Sequence, residues 1–180
     1  MPRYSDRAVE ACAAMFANVT YGLGKRCAAI NVEYGSTAGA HKWHMPVNWI
    51  NSLTQKTGAN YTFPFFEAYS TGSNDLNEMV GTSEYEVGIE IRCWMSKATA
   101  GANQTIEAKK YRMLESAIWE LINERPEWEG RCLADSTGRV TSVYSVSIEP
   151  IIGLHGDDHT HGIGAMVKMT AVVEEEDQHS

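Results

Sequence analysis

Residues 154–164, LHGDDHTHGIG, gather His155, Asp157, Asp158, His159 and His161 into a span where metal ligands could converge. On an extended backbone His159 and His161 fall on the same side, and Asp157 could add an oxygen. That is an open three-ligand site of the kind that activates water in a small hydrolase. The stretch is also bordered by Gly153, Gly156, Gly162 and Gly164. Catalytic metals need rigid ligands braced by further hydrogen bonds, and a glycine-bordered loop supplies neither. Gly-Asp-Asp is turn chemistry. The expectation is therefore a polar contact loop with no metal, no cofactor and no catalytic residue, and a metal-dependent hydrolase built on His155, Asp157, His159 and His161 is the alternative.

Two further groups could do something other than fill a core. Trp43 and Trp49 lie in a segment without clear periodicity, and Trp is enriched at subunit interfaces. Glu84, Glu86 and Glu90 share one side of an alternating run; they form a solvated face or, more sharply, an acidic wall turned toward something negative that must not stick. Other catalytic patterns are missing: no G-x-S-x-G elbow, P-loop, GxGxxG or H-E-x-x-H occurs. YGLGKR at residues 21–26 follows a helix, whereas phosphate cradles follow a strand.

The elements that must position these residues are read from periodicity. Ser5 to about Thr20 predicts a capped amphipathic helix ended by Gly22 and Gly24. Residues 30–60 form a poorly predicted insert, with a possible strand at INVEY and a short helix between Pro46 and Gly58. YTFPFFEAY predicts a strand at an edge or bulge, because Pro64 cannot donate a ladder hydrogen bond, and STGSNDLNEMVGTS reads as a turn-rich connection. In EYEVGIEIRCWMS, Tyr85, Val87, Ile89, Ile91, Cys93 and Met95 alternate with Glu84, Glu86, Gly88, Glu90, Arg92 and Trp94, one side core and the other wet. Residues 105–124 predict a helix stopped by Pro126. Val140, Tyr144, Val146 and Ile148 define one face of a strand, and Ala165 to Val173 the next, so the two should form a C-terminal β-hairpin. The fold class is α+β: a mainly antiparallel β-sheet covered by two helices, residues 1–173 forming one domain and 174–180 a frayed acidic tail.

Composition bounds the partners. The chain has 180 residues and a net charge of −8; residues 1–97 hold eight Lys/Arg against nine Asp/Glu and residues 98–180 seven against fourteen. No basic stripe is present to displace counterions from nucleic acid. No run approaches the ~20 apolar residues of a membrane helix, and the start lacks a secretory layout, so no membrane association and a reducing cytosol are expected. Cys12, Cys27, Cys93 and Cys132 are scattered and are expected to be free thiols.

An aromatic strand with a proline, a connector, the alternating EYEVGIEIRCWM strand, an amphipathic helix and a closing hairpin, preceded by an amino-terminal helix, resemble the tail-terminator (tail-completion, neck) proteins of tailed bacteriophages. The resemblance rests on this pattern over about two-thirds of the chain; residues 30–60 depart from it. It implies a homo-hexameric ring at the head-proximal end of the tail that stops tail-tube polymerisation, meets the tail-tube protein and the neck or connector protein, and lets DNA pass through its lumen unbound. The site would be the virion, after assembly in the host cytoplasm. Glu84, Glu86 and Glu90, or the acids after Glu124, would line the lumen; Trp43, Trp49 and His155, Asp157, Asp158, His159 and His161 would sit at subunit or ring–ring contacts. Another connector or a tail-tube subunit is the nearest alternative.

Overall fold

In a computed structural model, the structure describes residues 4–35, 45–51, 63–79, 82–97, 104–123, 131–132, 138–155 and 160–176. Among them the order is α1 (Tyr4–Ala17), α2 (Leu23–Gly35), β1 (Ile50–Asn51), β2 (Phe65–Met79), β3 (Thr82–Lys97), α3 (Gln104–Asn123), β4 (Arg131–Cys132), β5 (Gly138–His155) and β6 (Thr160–Glu176). The strands form one six-stranded sheet in the order β1-β2-β3-β6-β5-β4, antiparallel except where β1 runs parallel to β2. The α+β class with a mainly antiparallel sheet and a closing hairpin is as the sequence predicts.

The alternation in β3 decides which side of the sheet is dry. Tyr85, Val87, Ile89, Ile91 and Cys93 are buried and stand in register with Val173, Ala171, Met169, Val167 and Ala165 of β6. Cross-strand partners point to the same side of a sheet, so these ten side chains make one apolar surface. Over it lie Phe16, Met15 and Cys12 of α1, Cys27 and Ile30 of α2, and Leu114, Ile118 and Leu121 of α3. Each fully buried aliphatic side chain contributes about 1.5–3 kcal/mol, so this interface dominates the fold. Arg7 of α1 adds an ion pair at 2.6 Å to Glu175, whose side chain is only 4% exposed.

Three helices, not two, are present among the described residues. The INVEY segment read as a strand is the second half of α2, in which Leu23, Cys27 and Ile30 are buried at helical spacing. Gly22 does not simply end a helix. Its N–H donates to Asn18 O at 2.8 Å and its carbonyl accepts from Lys25 N at 3.0 Å, while Asn18 Oδ1 accepts from Thr20 N and Tyr21 N. A Cβ on Gly22 would lie 2.4 Å from Asn18 O. The glycine that reads as a stop thus closes a tight corner from which the next helix starts.

Residues 45–51 are extended and cross α2; the part of the expected helix between Pro46 and Gly58 that is described is therefore not helical, and residues 52–58 lie outside the described residues. Asn31 pins this strap, its Oδ1 accepting from Met45 N at 2.6 Å and its Nδ2 donating to Met45 O at 2.8 Å. Gly24 allows the approach, since a Cβ there would meet Val47 O at 2.1 Å.

Further corrections concern strand lengths and faces. STGSND is not a connection: β2 continues to Met79, paired with β3 along its length. Its polar residues survive in a strand because residues 69–76 are exposed at the side of the sheet. Pro64 stands just outside β2 and accepts a hydrogen bond from Ile50 N at 3.3 Å. In β5, bulges between Val140 and Ser142 and between Tyr144 and Ser147 each insert a residue. One extra residue swaps the faces of everything beyond it. Val140 and Val143 are consequently on the core side, and Tyr144, expected there, is 39% exposed on the other. At the carboxyl end, Glu174 to Glu176 are paired in β6 rather than frayed; residues 177–180 lie outside the described residues.

Candidate interaction surface

The side of the sheet turned away from the helices carries Glu84, Glu86, Gly88, Glu90 and Arg92 of β3, as the alternation predicts. Register places Glu84 beside Glu174, Glu86 beside Val172 and Glu90 beside Lys168. Among the residues whose side chains are described, the face holds six carboxylates (Glu67, Glu84, Glu86, Glu90, Glu149, Glu174) against three cations (Arg92, Arg139, Lys168). Its balance is acidic.

These three cations are engaged. Arg92 Nε contacts Glu90 at 2.7 Å while its guanidinium lies 5.3 Å from the Tyr69 ring centroid. Arg139 donates to Glu174 Oε2 from both Nε and Nη2, at 3.1 and 3.0 Å, which relieves the like-charge pairing of Glu174 with Glu84. Lys168 Nζ is 3.7 Å from Glu149. Among the described residues no cation lies within ion-pair distance of Glu84 or Glu86. Glu86 instead accepts the hydroxyl of Tyr144, which raises the Tyr144 pKa above its ordinary value, because a phenolate there would face the carboxylate.

One end of this face is dry. Trp94, expected on the wet side, is there in register but only 5% exposed, and Phe65 opposite it is fully buried. Trp94 Nε1 donates to Glu67 Oε2 at 3.1 Å, and Phe63 lies against Phe65 with ring centroids 5.3 Å apart. Gly164, the β6 partner of Trp94, has no room for a Cβ beside Cys93 O.

Among the described residues β1 pairs with Phe65 and Phe66 of β2, and β4 with Arg139 and Val140 of β5. Beyond those two-residue strands, the outer edges of β2 and β5 carry no further strand among the described residues. A row of unpaired N–H and C=O groups is a template for another strand.

Trp49 does not project. It is half-buried against the core, and its indole N–H donates to Pro46 O at 2.9 Å. With Val47, Ile50, Phe16 and Val19 it lines a groove of about 420 Å³. Trp43 lies outside the described residues. So do Asp157, Asp158 and His159. The backbone of the hairpin that carries them pairs Leu154 with His161 and His155 with Thr160, so the stretch joins β5 to β6 as expected.

No family model and no curated protein matches this chain.

Function must therefore be argued from the surface itself. Among the described residues no group of three or more His, Cys, Asp or Glu side chains could hold a metal, and no helix is long and apolar enough to cross a membrane. Cys12, Cys27 and Cys93 are free and buried. Burial pushes the Cys12 and Cys27 thiols up to about 12 and the Cys93 thiol upward as well, which leaves them unreactive as nucleophiles. What the described surface offers is an acidic sheet face and two outer strand edges. Sequence periodicity exposes the first; the second is not marked by any periodic signal.

Proposed function

We propose that this chain is a structural virion protein whose copies join into a hexameric ring at the head-proximal end of a phage tail, ending tail-tube growth and linking the tail to the neck or head connector. The observation that supports the reading is that, among the described residues, β1 and β4 pair with only two residues each at the outer edges of β2 and β5. β2 and β5 are the outermost long strands of the sheet and run in opposite directions. The outer edge of β5 in one copy can therefore meet the outer edge of β2 in another as an antiparallel pair. Repeating one such head-to-tail contact builds a ring when the rotation closes.

In that arrangement every copy turns the same face inward. With the helices outside, the carboxylates Glu84, Glu86 and Glu90 border the lumen, where an acidic wall keeps DNA phosphates from sticking as they pass. The β5–β6 hairpin, with His155 and His161 near its end, reaches toward the adjoining tail-tube or connector ring. This is a role in assembly, without catalysis or cofactor. Mass photometry with negative-stain imaging of the purified protein tests it: six-fold rings are expected, and a monodisperse monomer at every concentration would overturn the reading.

A further inference from the structure

The groove under Trp49 has a fixed wall and an apolar rim. Trp49 is held by the bond from its indole N–H to Pro46 O at 2.9 Å, and the strap that carries it is pinned to α2 by both polar atoms of the Asn31 side chain. Val47, Ile50 and Val19 stand at the opening, Val19 with 92% of its surface in water. Among the described residues Lys25 is the one charged group in the lining, and it makes no ion pair. A concave, mostly apolar site of about 420 Å³ with a single polar group of fixed sign has the make-up of a recognition site.

The complementary shape is on α3. Trp119 is 36% exposed on the outer side of that helix. A helical side chain leans toward the amino end of its helix, over the residues three and four places back; for Trp119 these are Ser116 and Glu115. Ser116 is tied down, its hydroxyl donating to Arg112 O at 2.9 Å, so it does not shield the indole. Glu115, like Lys25, makes no ion pair among the described residues. An aromatic knob beside a carboxylate thus matches an aromatic-lined hole beside an ammonium. We infer that Trp119 of one copy of this chain seats in the groove under Trp49 of the next copy, with Glu115 paired to Lys25. This rests on the ring reading above and names an anchor of its subunit contact.

The placement of the two parts suits a head-to-tail contact. α1 packs over β2 and β3, and the groove lies at its carboxyl end beside β1, whereas α3 packs over β6. In the sheet β1 and β2 are on one side of β3, and β6, β5 and β4 on the other, so hole and knob belong to opposite sides of one copy. No residue of α3 lines the groove. A patch that fits a different patch on the next copy repeats around a ring when the rotation closes. Tyr69 and Tyr144, also exposed, belong to the acidic sheet face, which the ring reading turns inward. A seated Trp removes about 150–250 Å² from water, and Trp in a well-packed pocket is among the side chains that dominate association.

Mass photometry of the full chain over a range of concentrations tests the contact. Trp119→Ala should raise the concentration at which half the protein is in rings by about ten-fold or more, with circular dichroism unchanged because an exposed side chain is removed. Lys25→Glu and Glu115→Lys should each weaken assembly, and the two together should recover most of the loss, which a folding defect would not do. Ala28→Trp, which fills the groove, should weaken rings as much as Trp119→Ala. Rings that form in Trp119→Ala at the wild-type concentration would overturn the inference and leave the ring reading standing. So would a loss confined to Ala28→Trp, because the groove would then receive another segment of the chain or another molecule. A charge swap that recovers nothing would overturn the pairing of Glu115 with Lys25. A wild-type protein that stays monomeric at every concentration would sink both the inference and the ring.

Discussion

Tyr144 of β5 donates its hydroxyl to Glu86 of β3, reaching across the intervening strand β6. The bond ties three strands together on the acidic face and gives Glu86 a neutral partner in place of a cation. Because the pKa of Tyr144 is raised by that acceptor, Glu86→Gln should lower it toward the ordinary value. Ring-labelled tyrosine NMR, with Tyr144→Phe to assign the signal, checks this through the pH at which the resonance titrates. An unchanged titration in Glu86→Gln would mean that the bond does not persist in solution.

Gly24 is where the strap of residues 45–51 touches α2. With Val47 O 2.1 Å from the position a Cβ would take, Gly24→Ala has to displace the strap or the helix. Overpacking of this kind costs about 1–3 kcal/mol. Urea unfolding should show the loss, accompanied by a shift in tryptophan emission as Trp49 leaves its place over the core. Wild-type stability in Gly24→Ala would contradict the close approach.

Arg7 and Glu175 join the start of α1 to the end of β6 through a largely buried ion pair. Removing one partner takes a close opposite charge from the other in a largely buried place, at a cost of up to about 3–5 kcal/mol. Glu175→Ala should therefore melt well below the wild type, and Arg7→Ala/Glu175→Ala should recover part of the difference. A double variant as unstable as the sum of the singles would show that the two do not interact.

The buried thiols make a pH prediction with a definite sign. The folded protein holds the protons of Cys12 and Cys27 up to about 12, against 9.0 for an ordinary thiol. A raised folded-state pKa gives stability that is complete below the unfolded value and is lost as the pH climbs through the folded one. The free energy of unfolding should thus fall steadily from about pH 9 toward 12. At pH 8 iodoacetamide should label Cys12, Cys27 and Cys93 only after denaturant is added; rapid labelling of the native protein would show that the core opens.

How much of this could be read beforehand follows from which signals are periodic. β3 and α3 are legible because their periodicity runs unbroken over many residues, and the same alternation sets Glu84, Glu86 and Glu90 on the side away from the helices. α2 is not legible because Gly22 and Gly24 look like terminators, although one closes a corner and the other makes room for Val47. The length of β2 is hidden because Ser, Thr, Gly, Asn and Asp favour turns, and an exposed strand tolerates them. Tyr144 lies on the face opposite to its expected one because two bulges in β5 leave no mark in hydrophobicity. Trp94 reads as wet from its parity; only Phe65 and Glu67, brought beside it by β2, make it dry.

The outer edges of β2 and β5 bear on concentration as well as on shape. A sheet that paired with no second copy would have a state independent of how much protein surrounds it. On the ring reading proposed above, pairing between copies would bring mass action into the folding equilibrium itself. Dilute and crowded samples of the same chain should melt at different temperatures, and the slope of that dependence measures how much of the protein's stability each copy leaves for its neighbours to supply.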